Sequence, residues 1–434
     1  NKKVKRFVKY ILSYHKMIER DKTMTFEQKL QEYAKLIVRV GVNVQKGQDI
    51  VLRCPAECYA FARMITKEGY EAGARQVIVH FKDEQISRLT YDYADLSVFE
   101  QVPEWQAESL NHYAREGACF ISISGGDPEV FKGVDSAKLK ANAKASDKAF
   151  EVFYKRMMAS EIPWNVVAIP NEKWAMKVFP DVSKEEAMEK LWEAVFQATR
   201  IGTTEDAVKA WQEHNHFLEQ KCKQLNEMQF AKLHYKNSIG TDFVVGLAKG
   251  HKWEGGSEKD SNGVDFVANM PTEEIFTMPD RRIGEGTVVS ALPLSFEGTL
   301  IKNFRLTFKN GRVEEFSAEE GEEALDRLLN SDEGSRHLGE VALVPFDSPV
   351  SNMGILFYNT LFDENASCHF AFGECYPTTI QNGESMTEEE LFEAGGNHSI
   401  NHVDFMVGTS DLSITGIKEN GEEVPVFDKG NWVL

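Results

Sequence analysis

Residues 49–81 read DIVLRCPAECYAFARMITKEGYEAGARQVIVHF: two short β-branched runs, DIVLRC (49–54) and QVIVHF (76–81), flank a segment of helical character. Runs of this kind, bounded by turn residues, read as buried parallel strands, and the segment between them reads as the crossover helix. Strand, helix and strand in that order make a βαβ unit, which demands a parallel sheet with helices laid over it. The alternation continues outward in CFISIS (119–124) and NVVAIP (165–170), with the helical VPEWQAESLNHYAREG (102–117) before the first of them. An α/β domain is therefore expected over residues 24–200. A long helical zone runs from Lys184 to about Met228, broken at Gly202-Thr203-Thr204, where Thr203 or Thr204 is placed to cap the second helix.

Beyond Gln229 the period changes. FAKLHYKN, TDFVVGLA, GTVVSALPLSF, NFRLTFKNGRV and HVDFMVGTSDLSITGI alternate over short lengths, and Asn310-Gly311 and Asn420-Gly421 are tight-turn signals. Residues 201–434 are expected to form a mainly antiparallel α+β domain. The length of 434 residues suits two domains, each with its own core.

The formal charge of −19 argues against a sequence-independent grip on nucleic acid, which needs a basic face. No apolar run reaches the ~20 residues of a membrane span. The six cysteines, Cys54, Cys58, Cys119, Cys222, Cys368 and Cys375, show no paired CxxC spacing, so neither a disulfide framework nor a zinc ribbon is indicated and a cytoplasmic location is expected. Residues 1–23 differ from the rest: eight Lys/Arg against Glu19 and Asp21 give a net +6, leaving about −25 for the remainder. The run from Phe7 to Tyr14 is interrupted by Lys9, too short for a signal peptide, and the segment reads as a basic extension without function before a natural-looking start at Met24.

Candidate chemistry divides between the halves. SISGGDPEVF sets Gly125-Gly126 after a strand and Asp127-Pro128 at a helix start, a geometry that can cradle phosphate, though without GxGxxG or a GK[ST] ending a plain turn is the stronger reading. Cys54 and Cys58 read as buried packing. In the second half, acids and histidines recur in apolar settings. HVD puts His402 and Asp404 on one face of a strand, as a hydrogen-bonded pair or as metal ligands. Glu364 and His369 make a second pair in a loop, Glu340 leads directly into an apolar strand, and Glu273 and Glu274 lie between two prolines, where a capping box on Thr272 is the competing explanation. Four carboxylates (Glu274, Glu340, Glu364, Asp404) and two imidazoles (His369, His402) suffice for two divalent cations about 3.5–4 Å apart. There is no HExxH, which excludes the helix-borne single-zinc protease pattern.

PTEEIFTMPD, SDEGSRHLGEVALVP, NTLFDENASCHFAFG, HVDFMVG and the closing GNWVL resemble the thermophilic-type leucyl aminopeptidases, the aminopeptidase T and aminopeptidase S family of bacterial metallopeptidases. EYAKLIVRVGVNVQKGQDIVL and ISGGDPEVF extend the likeness through the first half, over residues 24–434. The resemblance implies metal ligands at Glu274, Glu340, Glu364, His369, His402 and Asp404 and an active-site tyrosine at Tyr376. On this reading Glu340 bridges two ions, with Glu274, Glu364 and His369 completing one site and His402 and Asp404 the other. Zinc or cobalt is expected, with manganese or magnesium as further options. Substrates are then peptides with a free amino terminus, cut by a metal-activated water. Tyr376 serves the oxyanion, and Glu340 or Glu273 shuttles the proton. A homodimer is implied. The basic tail and Cys368, beside a ligand, are features the resemblance does not explain. The rival reading is a nucleotide- or metabolite-binding α/β protein without hydrolase activity.

Overall fold

The computed structural model describes residues 24–202, 206–297 and 299–434. The basic segment 1–23 and the cap expected at Thr203 or Thr204 lie outside them. The described residues divide into two compact units, one comprising those up to His214 together with Ser257–Pro271, the other Asn215–Gly256 and Thr272–Leu434.

The first unit is built on a four-stranded parallel sheet in the order Gln76–Lys82, Asp49–Pro55, Cys119–Ser124, Trp164–Ala168. Ile50, Val51, Leu52, Phe120 and Ile121 are almost wholly buried, as central strands covered on both faces require. QVIVHF departs from the expectation of a buried strand: it is the edge, and none of its residues is fully buried. Its apolar character matches a central strand, but its position depends on which neighbours pair with it. Local chemistry sets the helix ends. Thr25 and Gln28 form a reciprocal capping box on Phe26–Leu36, Asp83 caps Glu84–Tyr93, and Ser183 caps Lys184–Ala198. The helix expected at Asp127-Pro128 is absent. Residues 127–133 form turns, and the next helix, Ser136–Ala149, starts on an Asp135 cap. The Asp127 amide donates instead to the Glu84 carboxylate at 2.9 Å, so an acid stands where a phosphate cradle would need its ligand.

The second unit holds two large antiparallel sheets, besides a two-stranded pair, Leu294–Phe296 with Thr299–Ile301. One has eight strands, in the order Arg312–Ser317, Arg305–Lys309, Pro279–Val289, Asp242–Leu247, Lys232–Lys236, Ser413–Ile417, Glu423–Asp428, Asn431–Trp432. Asn310 and Gly311 turn the hairpin at its edge, both at positive φ (50° and 76°), as a two-residue turn between twisted strands demands. The other sheet has five strands: His402–Met406, His369–Gly373, Leu338–Leu343, Ile275–Thr277 and Glu254–Gly255. The expected run 402–417 thus divides between both sheets.

Phe370, Phe372, Phe405, Val341, Leu343 and Ile275 of the five-stranded sheet share one core with Tyr235, Phe243, Val245 and Phe308 of the eight-stranded one. The Phe370 ring lies 4.9 Å from Tyr235 and 5.5 Å from Phe243. Because side chains alternate along a strand, committing these residues to the core sends Glu274, Glu340, His369, His402 and Asp404 to the opposite face.

Candidate metal centre

One local irregularity decides where Glu340 points. Leu338 and Val341 both belong to the core, which strict alternation does not allow. The register shifts between Leu338, opposite Phe372, and Glu340, opposite Ala371. The extra residue is Gly339, and this bulge turns Glu340 away from the core. A Cβ on Gly339 would stand 2.1 Å from the Glu374 carbonyl oxygen, so only glycine fits.

The pairing then sets the candidate ligands side by side. Glu340, Ala371 and Asp404 are neighbours across three strands, His369 lies between Ala342 and Met406, and His402 faces Gly373. The alanines and the glycine leave room around the polar groups. His369 Nε2 stands 3.0 Å from Glu274 Oε2 and 3.5 Å from Glu340 Oε1, while His402 Nε2 stands 3.4 Å from Glu340 Oε2 and 3.5 Å from Asp404 Oδ1. Two groups of possible ligands result, Glu274/Glu340/His369 and Glu340/His402/Asp404, each with its ligand atoms within 4.8 Å of one another. Glu340 belongs to both and offers one oxygen to each histidine.

Both imidazoles are aimed from behind. His369 Nδ1 donates to the Ser367 carbonyl at 3.0 Å and His402 Nδ1 to the Glu374 carbonyl at 2.8 Å, which turns each Nε2 into the cluster. Around His402 the bracing goes further. Asp332 accepts from Ser335 N (2.8 Å), Ser335 Oγ (2.8 Å), Ser399 Oγ (2.9 Å) and Ile400 N (2.7 Å). The Glu374 carboxylate takes the Ser399 amide at 2.6 Å, and the Glu374 amide donates to the Asn401 carbonyl at 2.7 Å. Asn365, fully buried, ties the other ligand segments together: its Oδ1 accepts from Glu273 N at 2.6 Å and its Nδ2 donates to the Leu361 carbonyl at 3.0 Å. These braces escaped the sequence reading. SDEGS looks like any solvated turn, and only the acid-rich company of Asn365 hinted at a role.

Glu364 heads the turn Glu364–Ala366, next to the cluster but in neither ligand group. Burial, and then the charges of Glu274 and Asp404, push its carboxyl well above the ordinary range. Tyr376 packs its ring 4.7 Å from that of His402 and 5.9 Å from that of Phe276. Burial, followed by the charges of Glu340, Asp404, Glu364 and Glu274, holds its hydroxyl protonated far above the usual tyrosine range. Glu273 is buried, outside both ligand groups. The segment 272–274 is not helical, so the capping box on Thr272 does not form.

The electrostatics fit a cation. Burial would raise the Glu340 carboxyl, but hydrogen bonds and charge from His369 and His402 outweigh it and hold it at about 2. Burial would likewise lower His402, yet Asp404 and Glu340 push it up to about 11. Both imidazoles are pushed up to hold protons, while burial and then mutual repulsion raise Glu364 and Glu274, a crowding of carboxyl groups that divalent ions would relieve. Glu274 Oε2 is buried with no well-formed hydrogen bond among the described residues, although His369 Nε2 is close. Oxygen and imidazole donors in this mixture accept zinc, cobalt or manganese.

Across residues 26–432 the sequence matches the family described as Thermophilic metalloprotease (M29). Aminopeptidase AmpS of Bacillus subtilis (strain 168) is 46% identical over 410 residues, 94% of this chain and 100% of that protein. Aminopeptidase 2 of Geobacillus stearothermophilus is 44% identical over 409 residues, 94% of this chain and 98% of that one. Among solved structures, wild-type AmpT from Thermus thermophilus matches with a TM-score of 0.87 at 38% identity, covering 94% of this chain and 100% of that chain. Its fold agrees with the helices, parallel sheet and antiparallel sheets described above. With likeness along nearly the whole chain and a buried cluster of acids and imidazoles in its second unit, the chain belongs to the thermophilic metalloprotease family M29.

Proposed function

We propose that this metalloprotease is an aminopeptidase that removes amino-terminal residues from peptides with two divalent ions per chain. Glu274, Glu364 and His369 would hold one ion, His402 and Asp404 the other, and Glu340 both. The observation that carries this reading is Glu340 itself, with one oxygen 3.5 Å from His369 Nε2 and the other 3.4 Å from His402 Nε2. When bound, such ions supply Lewis acidity and lower the pKa of water from about 15.7 towards ~7. The chain's own residues do the rest. The Tyr376 hydroxyl, kept protonated by burial and by the acids around it, donates to the oxygen on which charge develops as the first peptide carbonyl is attacked. Glu273, buried beside Glu274 and outside both ligand groups, takes the proton of the attacking water and passes it to the leaving amine nitrogen. The excess of carboxylates recognises the free amino terminus.

The names of the relatives, Aminopeptidase AmpS and Aminopeptidase 2, support the choice of amino end. We place the enzyme in the cytoplasm as a homodimer; all six cysteines are free thiols, which suits a reducing compartment. No helix among the described residues is long and apolar enough to cross a membrane.

The test is a peptide beginning with leucine. It is expected to be shortened one residue at a time, to be protected by chelator and to be cut again when divalent metal is restored. Its amino-acetylated form should be cut at least ~100-fold more slowly, about 2.7 kcal/mol of lost transition-state stabilisation. Mass spectrometry of the product ladder decides. Internal fragments from the blocked peptide at a comparable rate would make the enzyme an endopeptidase.

A further inference from the structure

The parallel sheet of the first unit holds a group of polar side chains that the metal centre does not use. Arg53 pairs across the sheet with His80 on one side and Ser122 on the other. Partners in register on parallel strands point to the same face, so guanidinium, imidazole and hydroxyl stand in a row. All three residues are half-buried. None of the three side chains makes a hydrogen bond or an ion pair among the described residues, and His80 Nε2 is buried without a partner. The Arg53 guanidinium lies 5.8 Å above the Phe153 ring, at the margin of the apolar layer formed by Val51, Leu110, Phe120 and Phe153.

Unpartnered polar groups set against an apolar layer are rare, and a desolvated cation without a carboxylate is the costliest kind. The position has meaning as well. In the order Gln76–Lys82, Asp49–Pro55, Cys119–Ser124, Trp164–Ala168, successive crossovers from the central pair of strands run to opposite sides. The row sits towards the carboxyl ends of that pair and of its edge neighbour, the switch point at which open α/β sheets bind ligands.

We propose that Arg53, His80 and Ser122 form a binding site for a small oxyanion, a carboxylate or phosphate group. A guanidinium offers two parallel N–H donors to either group, and the imidazole and hydroxyl supply one more donor each from the flanking strands. Burial, and next the neighbouring charge of Arg53, lowers the affinity of His80 for a proton, so the ring is neutral near pH 7 and donates through one nitrogen. Burial also lowers Arg53 from its ordinary value, and the group that acts against this is the Tyr154 phenol; no carboxylate is among them, so an incoming anion meets no carboxylate rival. This site is separate from the Gly125-Gly126 turn, where Glu84 already holds the Asp127 amide.

The experiment is thermal unfolding of the full chain in rising phosphate or rising acetate at constant ionic strength, for the wild type, Arg53→Met and the metal-ligand variant Glu340→Gln. The wild type is expected to gain about 3 °C at ten times the dissociation constant. Glu340→Gln should show the same gain, which separates this site from anions held at the metal centre. Arg53→Met should lose the gain and, without anion, melt at or above the wild type, because a desolvated charge has been removed. A gain with phosphate alone or with acetate alone assigns the oxyanion, and a gain with both supports the shared chemistry. No gain with either, or an equal gain in Arg53→Met, overturns the proposal. Should Arg53→Met fail to fold, Arg53→Lys and His80→Gln carry the same comparison, each expected to weaken the anion by several-fold.

Discussion

Asp332 touches no ligand atom, yet the hydrogen bonds around it make it the anchor of the segment that delivers His402. Its carboxylate gathers two bonds from Ser335, just ahead of the Glu340 strand, and two from Ser399 and Ile400, just ahead of His402. Replacing it with asparagine keeps the shape but turns one oxygen into an NH2 group. If the amide oxygen stays where Oδ1 was, the NH2 faces the Ile400 amide, donor against donor, and the 2.7 Å bond is lost. That bond, being charge-assisted, is worth about 1.5–3 kcal/mol, and the partial exposure of Asp332 pulls the total for the substitution to ~2 kcal/mol. If the loss falls on the 398–401 segment, it appears as poorer positioning of His402, and ~2 kcal/mol corresponds to roughly 30-fold in affinity for an ion at the proposed His402/Asp404 half of the site. This lies inside the 10- to 100-fold range found for residues that orient metal ligands. The assay is a zinc titration against a competing chelator, with melting of the metal-free protein alongside. The expected result is one weakened and one unchanged binding step, with the metal-free melting temperature nearly constant. Equal zinc affinity with a lowered melting temperature would refute the positioning argument and leave Asp332 a structural brace. A wild type that binds no divalent metal would instead strike at the proposed function.

Three further outcomes are expected. Glu340→Gln should fold, lose metal from both halves of the site and lose nearly all hydrolysis; normal metal content with near-normal turnover would remove Glu340 from the chemistry. Tyr376→Phe should lower turnover by about 10²- to 10³-fold at unchanged metal content, whereas a purely structural tyrosine would lower the melting temperature and spare turnover per folded enzyme. His251 is buried with Nδ1 donating to the Ala248 carbonyl at 2.9 Å, and burial lowers it from 6.5. Its folded value is below its unfolded one, so its contribution is complete above pH ~6.5 and is lost as pH falls through the unfolded and then the folded value. In denaturant titrations, His251→Phe should therefore lose less stability than the wild type between pH 7 and pH 5, and parallel curves for the two proteins would refute the assignment.

What the sequence made legible depended on how local the physics was. The four strands of the first unit declared themselves because β-branched runs between turn residues have few other uses, but the edge position of Gln76–Lys82 follows from pairing partners that no window of sequence contains. Residues Ser257–Pro271 illustrate the same limit. They fold with the first unit, where the Val166 amide donates to the Ala268 carbonyl at 2.7 Å and Asn165 Nδ2 to the Val267 carbonyl at 2.7 Å, and nothing nearby in the chain announces it.

The metal centre separates composition from aim. Acids and histidines inside apolar runs could be picked out because burying such groups without partners is costly, and that argument needs only the sequence. Their direction could not. Alternation from Leu338 would send Glu340 into the aromatic core beside Phe370 and Phe372; Gly339 reverses this by one unpaired residue, held where the Glu374 carbonyl admits no side chain. That same carbonyl accepts the Nδ1 proton of His402 at 2.8 Å. One peptide group thus fixes the bulge that aims Glu340 and the ring that Glu340 faces. The backbone around Glu374 orients both Glu340 and His402, and a change that moves it disturbs the two groups together, whereas Asp332→Asn with its Ser335 bonds kept loses the bond to Ile400, ahead of His402 alone.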